Sequence, residues 1–386
     1  MERKSIFVSV TVLAVSLILF SIVPAYSEEV RGVTDDTIKV GFIMAQTGPA
    51  ANVAVPLTNG VRHLVRYANE QGGIHGRKII LLVEDDRYNI PLAITSFKKL
   101  VFKDKVGVMM GPTSTGAITA LWKGLQKEKM PLICAIAPEV TVKPFKRYIF
   151  TILDVYPNQM KVLVDYIMKD LKAKDPRIAI VHPDNETGKV DLASTVERLK
   201  SYNLKPVTKE VLNPGAFDAS SQVLNLRRAK TTHILLAGFI PQPAALILKD
   251  MKKYGLSVPV FGSWATCAEE VIQMAGDACK DWYAVNHLSS WYDKEPGVVK
   301  MREITLKYEP GTEKSSRGKL YGHGWVMATI LIEGLKRAGR DLNGEAFVDA
   351  LETIKDFDSG GLTGPISYSS TSHKGRKFVE DLQGKS

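Results

Sequence analysis

Downstream of residue 36 the chain alternates short apolar runs with longer stretches in which apolar residues return every three or four positions. Ile38 to Met44 reads as a strand. Val53, Leu57, Val61, Leu64, Val65 and Ala68 then fall on one helical face. Lys78 to Val83 carries Ile-Ile-Leu-Leu-Val, apolar on both faces, the pattern of a parallel strand covered by helices. A helix over 91–103 opens at Pro91, where a missing N–H does no harm. Strand 106–110, helix 115–128 and strand 131–135 complete a first set. A second set starts with helix 156–172, which places Met160, Leu163, Val164, Ile167 and Leu171 on one side. Strands at 178–181, 206–211, 233–236 and 258–261 then alternate with helices at 188–201, 219–229 and 241–254. Such alternation predicts an α/β protein of two doubly wound, Rossmann-like lobes. The expected lobes are 28–155 plus 287–362 and 156–286 plus 363–386, joined by crossovers near 155, 286 and 363.

The first residues break this pattern. Arg3 and Lys4 precede an almost unbroken apolar run, Ile6 to Val23, followed by Ala25-Tyr26-Ser27 and the acidic pair Glu28-Glu29. That order predicts a cleaved signal peptide over 1–27, with the exported chain starting at Glu28 in the periplasm. A membrane anchor is the alternative for so long a run; small residues ahead of a polar segment favour cleavage. No Cys stands near the cleavage point to take a lipid.

Removing the leader leaves roughly 360 residues, more than one core usually serves. Apolar residues at 45% and charged ones at 24% are ordinary for a globular protein, so composition adds nothing further. The net charge of +10 is spread along the chain without a basic run or basic-aromatic stripe, so no nucleic-acid partner is expected. Cys134 lies in an apolar strand as a buried thiol, while Cys267 and Cys279 flank one helix and are candidates for a bridge in an oxidising compartment.

Enzyme signatures are missing. Pro112-Thr113-Ser114-Thr115-Gly116 departs from a nucleophile elbow at its first position, and Gly111 to Gly116 lacks the Lys of a phosphate loop. The seven histidines are scattered without metal-ligand spacing. No catalytic residue, metal or cofactor is expected. Instead, Thr113, Ser114 and Thr115 lie between a strand end and a helix start, where backbone N–H groups and the helix dipole favour an anion. Ser114 adds a hydroxyl, or simply caps its helix.

Asn69 to Ile79 contains Gly72-Gly73-Ile74-His75-Gly76-Arg77 and resembles the "N-x-x-G-G-I-x-G-R-x-I" stretch of branched-chain amino-acid binding proteins of ABC transporters. Further matches follow each strand: Gly41-Phe42 with Thr47-Gly48, Asp85-Asp86, Gly111-Pro112 with Ser114, and Ala137-Pro138-Glu139-Val140-Thr141. The resemblance runs from about residue 36 to the end. It implies the type I periplasmic binding protein fold, a three-crossover hinge, and a membrane permease as partner of a monomeric protein. Relatives typically continue for one more strand beyond Gly384-Lys385-Ser386, a departure here.

The resemblance also implies site residues. Ser114 matches a Ser that binds the ligand carboxylate, and Ala135, Ile136 and Ala137 match a backbone segment beside it. Thr187 stands where relatives often carry Tyr. Phe239 matches a ligand-facing aromatic, and Trp291 follows a strand near a crossover. Two departures bear on specificity. Ile136 replaces a Thr, and Trp264, in Phe261-Gly262-Ser263-Trp264-Ala265, stands where relatives place a Glu on the ligand ammonium. A buried ammonium without acceptors is strongly disfavoured. The expected ligand is therefore a small carboxylate, aromatic or apolar, rather than a zwitterionic amino acid. The alternatives are a branched-chain or other hydrophobic amino-acid-binding protein, and a soluble ligand sensor with the same fold.

Overall fold

The computed structural model describes residues 30–312 and 317–376. The expected leader, and residues 377–386 of the expected second lobe, lie outside the described residues. Among these, two five-stranded parallel sheets form. In the first, β1 (Thr37–Met44), β2 (Lys78–Asp85), β3 (Val108–Met110), β4 (Leu132–Cys134) and β5 (Ile149–Thr151) take the order β2-β1-β3-β4-β5. In the second, β6 (Ile178–His182), β7 (Lys209–Val211), β8 (His233–Leu236), β9 (Val260–Gly262) and β10 (Trp282–Ala284) take the order β10-β9-β8-β6-β7. Each order reverses direction once, between β1 and β3 and between β6 and β8. Those reversals open crevices at the carboxyl ends of the strands, where ligands bind in folds of this kind.

The connecting helices carry the expected periodicity. They are α1 (Ala51–Glu70), α2 (Ile90–Lys98), α3 (Thr115–Lys127), α4 (Tyr156–Asp165), α5 (Glu186–Lys200), α6 (Ser220–Arg228), α7 (Pro241–Lys253) and α8 (Glu269–Ala275). Both α2 and α4 run on into a π-helical turn, Lys99–Lys103 and Tyr166–Asp170, so these stretches reach nearly their expected length. After β10 the chain returns to the first sheet with α9 (Pro296–Tyr308), α10 (Lys319–Ala338) and α11 (Gly344–Glu352). Helices α10 and α1 cross closely because both are glycine at the contact. A Cβ on Gly60 would stand 2.2 Å from the Tyr321 carbonyl, and one on Gly324 would stand 1.9 Å from that of Leu57.

The Asn69–Ile79 stretch turns out to be scaffolding. Asn69 closes two hydrogen bonds on Ile79, donating to its carbonyl at 2.8 Å and accepting from its N–H at 2.7 Å, so the side chain acts as a strand partner for the start of β2. Arg77 is buried and donates to the carbonyls of Gly339 and Arg340, tying β2 to the end of α10.

Several expectations are corrected. β2, expected to be covered by helices on both faces, is an edge strand with Ile80 exposed. Of the expected strand 206–211 only Lys209–Val211 is regular strand, at the sheet edge, although the Val207 N–H still donates to the Ile178 carbonyl at 2.8 Å and the Thr208 carbonyl accepts from Ile180 at 3.2 Å. Residues 363–376 run along β5 in the first lobe, not in the second. Thr151 exchanges backbone hydrogen bonds with His373 and Gly375, Tyr368 donates its hydroxyl to the Thr151 carbonyl at 2.9 Å, and Ile366 and Tyr368 join the first core. Cys267 and Cys279 are both free thiols: Cys279 points at the Val271 carbonyl, while Cys267 ends the turn after Trp264. Cys134 is buried, and burial pushes its thiol pKa up.

Candidate functional site

The carboxyl ends of the two sheets face each other across a narrow cavity of about 30 Å³, room for one or two water molecules. Helix N-termini converge on it. Ala50 and Ile240, at its wall, are the N-cap residues of α1 and α7; Thr113 directly precedes the cap of α3; Tyr156 opens α4; and Thr187 lies in the first turn of α5. Each end contributes the positive pole of a helix dipole. Among the described residues, no charged side chain lines the cavity.

Of the residues expected at the site, Thr113, Ile136, Thr187, Phe239 and Trp264 line the cavity. The positive φ of Gly238 (75°) brings this turn against Gly188, where a Cβ would stand 2.9 Å from its backbone. Ser114 instead folds onto its own helix, its Oγ accepting from the Ala117 N–H at 3.3 Å. Thr115 reaches across the cleft to Thr187, Oγ1 to Oγ1, at 2.6 Å. Ala135 and Ala137 offer carbonyls already engaged, by His323 Nε2 at 2.9 Å and by the Tyr156 N–H at 3.1 Å. Trp291 is not at the cavity. It packs edge-on to Tyr321 in the first core.

Sequence reasoning missed Tyr88 and Tyr156 at the wall, and a histidine pair behind it. The Trp264 indole stacks on His323 with centroids 4.6 Å apart and meets His287 edge-on at 5.3 Å, so one of its faces is already covered. Because a carbonyl can only accept, His323 holds its proton on Nε2 toward Ala135, and its Nδ1 accepts from His287 Nε2 at 3.3 Å. Burial holds both rings neutral, with His323 lowered to about 3 and His287 well below its ordinary value. Nothing in the spacing of residues 264, 287 and 323 announces this cluster.

Three buried polar groups at or near the cavity lack hydrogen-bond partners among the described residues: Thr113 Oγ1, Trp264 Nε1 and the carboxyl of Asp191. Asp191 sits on α5, one turn beyond Thr187, fully buried; desolvation raises its pKa well above 3.8, opposed by the nearby Gly238 N–H. Tyr156 is raised as well, chiefly by burial. Its hydroxyl lies near enough to the Trp264 indole to be lowered by it in part, yet the two do not meet hydrogen-bond geometry. Further bonds join the lobes, from Thr119 Oγ1 to Glu186 at 3.0 Å and from the Lys319 N–H to Glu269 at 2.7 Å. No group of His, Cys, Asp and Glu among the described residues is arranged to hold a metal.

Two doubly wound lobes meeting at a cleft ringed by helix N-termini define a two-lobed binding protein. The model of the periplasmic binding protein family matches residues 37–379, and the chain belongs to that family. The leucine-, isoleucine-, valine-, threonine- and alanine-binding protein of Pseudomonas aeruginosa is 23% identical over 306 residues, 79% of each chain. A branched-chain amino acid ABC transporter protein from Thermus thermophilus with bound valine superposes with a TM-score of 0.81 at 23% identity, covering 89% of this chain and 92% of that one. A fatty acid ABC transporter substrate-binding protein from Thermomonospora curvata gives 0.77 at 23%, covering 88% and 86%. These structural likenesses establish the fold.

Proposed function

We propose that this chain is the periplasmic solute-binding subunit of an ABC importer, taking a small aromatic or apolar carboxylate that lacks an α-ammonium. The observation that carries this reading is the ring of helix N-termini around a cavity lined, among the described residues, by no charged side chain. Such a ring favours a negative group. An ammonium there has no ionised carboxylate at the wall, and Ile136 and Trp264 offer it no side-chain oxygen. A relative named for fatty acids is consistent with a ligand of this kind.

The cavity is too small for such an acid as it stands, so entry requires the lobes to part. Binding then shifts a hinge equilibrium through contacts made only when they close. A membrane permease reading the closed form is the proposed partner, and the protein acts as a monomer.

An amino-acid ligand is the second reading. It is favoured by the names of several relatives and by Asp191, whose carboxyl, if ionised, offers an ammonium partner near Tyr156. Burial of Asp191 argues against that state. A thermal-shift screen of ligand-free protein against small carboxylic acids and amino acids separates the two. Stabilisation by acids alone supports the first reading; stabilisation by amino acids alone overturns it.

A further inference from the structure

Thr113 and Trp264 approach the cavity from opposite lobes, each more than nine-tenths buried and each with a polar atom lacking a partner among the described residues. A buried polar group left unpaired is disfavoured, so two at one small cavity mark a place where something else completes them. The chemistry of that something is constrained. An indole N–H only donates, so the group facing Trp264 must be an acceptor. A threonine hydroxyl donates equally well. Ser114, whose Oγ accepts from the Ala117 N–H, is not among the residues that line the cavity.

We infer that Trp264 Nε1 and Thr113 Oγ1 together donate to the ligand's carboxylate across the cleft, leaving the apolar body of a small monocarboxylate against Ile136 and Phe239. This rests on the acid-binding reading above. It makes Trp264 a hydrogen-bond donor and not only an apolar wall, in keeping with His323 covering one face of its ring. It also explains why closure responds to ligand: one carboxylate joins a group of the first lobe to a group of the second.

The test is calorimetric titration of ligand-free wild type, Trp264→Phe and Thr113→Val with benzoate and with 4-methylpentanoate. The first substitution keeps an aromatic ring and removes the N–H; the second keeps the shape and removes the hydroxyl. Each is expected to weaken acid binding roughly ten- to hundredfold, as loss of a charge-assisted hydrogen bond does. Thr113→Val is expected to melt no lower than wild type without ligand, since it removes an unpaired buried group, and it decides the matter alone if Trp264→Phe misfolds. Acid binding by wild type that neither variant weakens overturns this assignment and leaves the acid-binding reading standing. Failure of wild type to bind either acid overturns both.

Discussion

Thr115 and Thr187 meet hydroxyl to hydroxyl at 2.6 Å, one at the first turn of α3 and the other at the first turn of α5, across the cleft between the lobes. The contact belongs to the closed form, because parting the lobes breaks it. Thr115→Val keeps the side-chain shape and removes one hydroxyl. A hydrogen bond of this type contributes about 1 kcal/mol. The variant is expected to populate the open form more, read as a larger radius of gyration in solution scattering, and to bind its ligand several-fold more weakly.

The histidine pair behind Trp264 sets a pH dependence. Unfolded, both rings take up a proton near pH 6.5, whereas in the fold His323 does so only at about 3 and His287 well below its ordinary value. Between those limits the unfolded chain binds more protons, so stability falls as pH drops through 6.5. Each ring contributes roughly 1.4 kcal/mol of loss per pH unit below that value. His323→Gln, which keeps a donor toward Ala135, is expected to narrow the difference between urea midpoints at pH 7.5 and pH 5.5. An unchanged difference shows that the pair is not what titrates.

Asp191 acts with the opposite sign. Its folded pKa lies well above the ordinary 3.8, so between the two values the folded chain holds the extra proton. Its contribution to stability is full below about 3.8 and is lost as pH rises through the folded value. Asp191→Asn removes this loss. The variant is expected to unfold at higher urea than wild type at pH 7.5, with the gap closing toward pH 4.

Much of the fold was legible because it rests on local periodicity. The apolar runs of β1, β6 and β8 and the one-sided helix α1 satisfy their patterns within a few residues of chain. The edge position of β2 was not legible: its apolar residues pack on one side and face solvent on the other, and sequence alone does not say which strands are neighbours. The same holds for residues 363–376, which depend on hydrogen bonds to Thr151 more than two hundred residues away.

The site was legible in outline, since strand ends and helix starts are local features. Its details turned on single positions. A serine at the cap accepts from its own helix, which leaves Thr113, one residue earlier, at the cavity wall. The partners of Trp264, His287 and His323, come from a crossover and from α10, and no motif links them.

The central claim is that the cleft takes an acid and disfavours the ammonium of an amino acid. Leucine and 4-methylpentanoate share one carbon skeleton and differ in that ammonium alone, as phenylalanine and 3-phenylpropanoate do. Titration calorimetry of ligand-free protein with both pairs, in one buffer at pH 7.5, isolates the term. The acid of at least one pair is expected to bind tenfold or more tighter than its amino acid, since an ammonium buried among neutral hydroxyls, without a carboxylate partner, loses more than about 1.4 kcal/mol. Tighter binding of leucine than of 4-methylpentanoate, or of phenylalanine than of 3-phenylpropanoate, contradicts the claim.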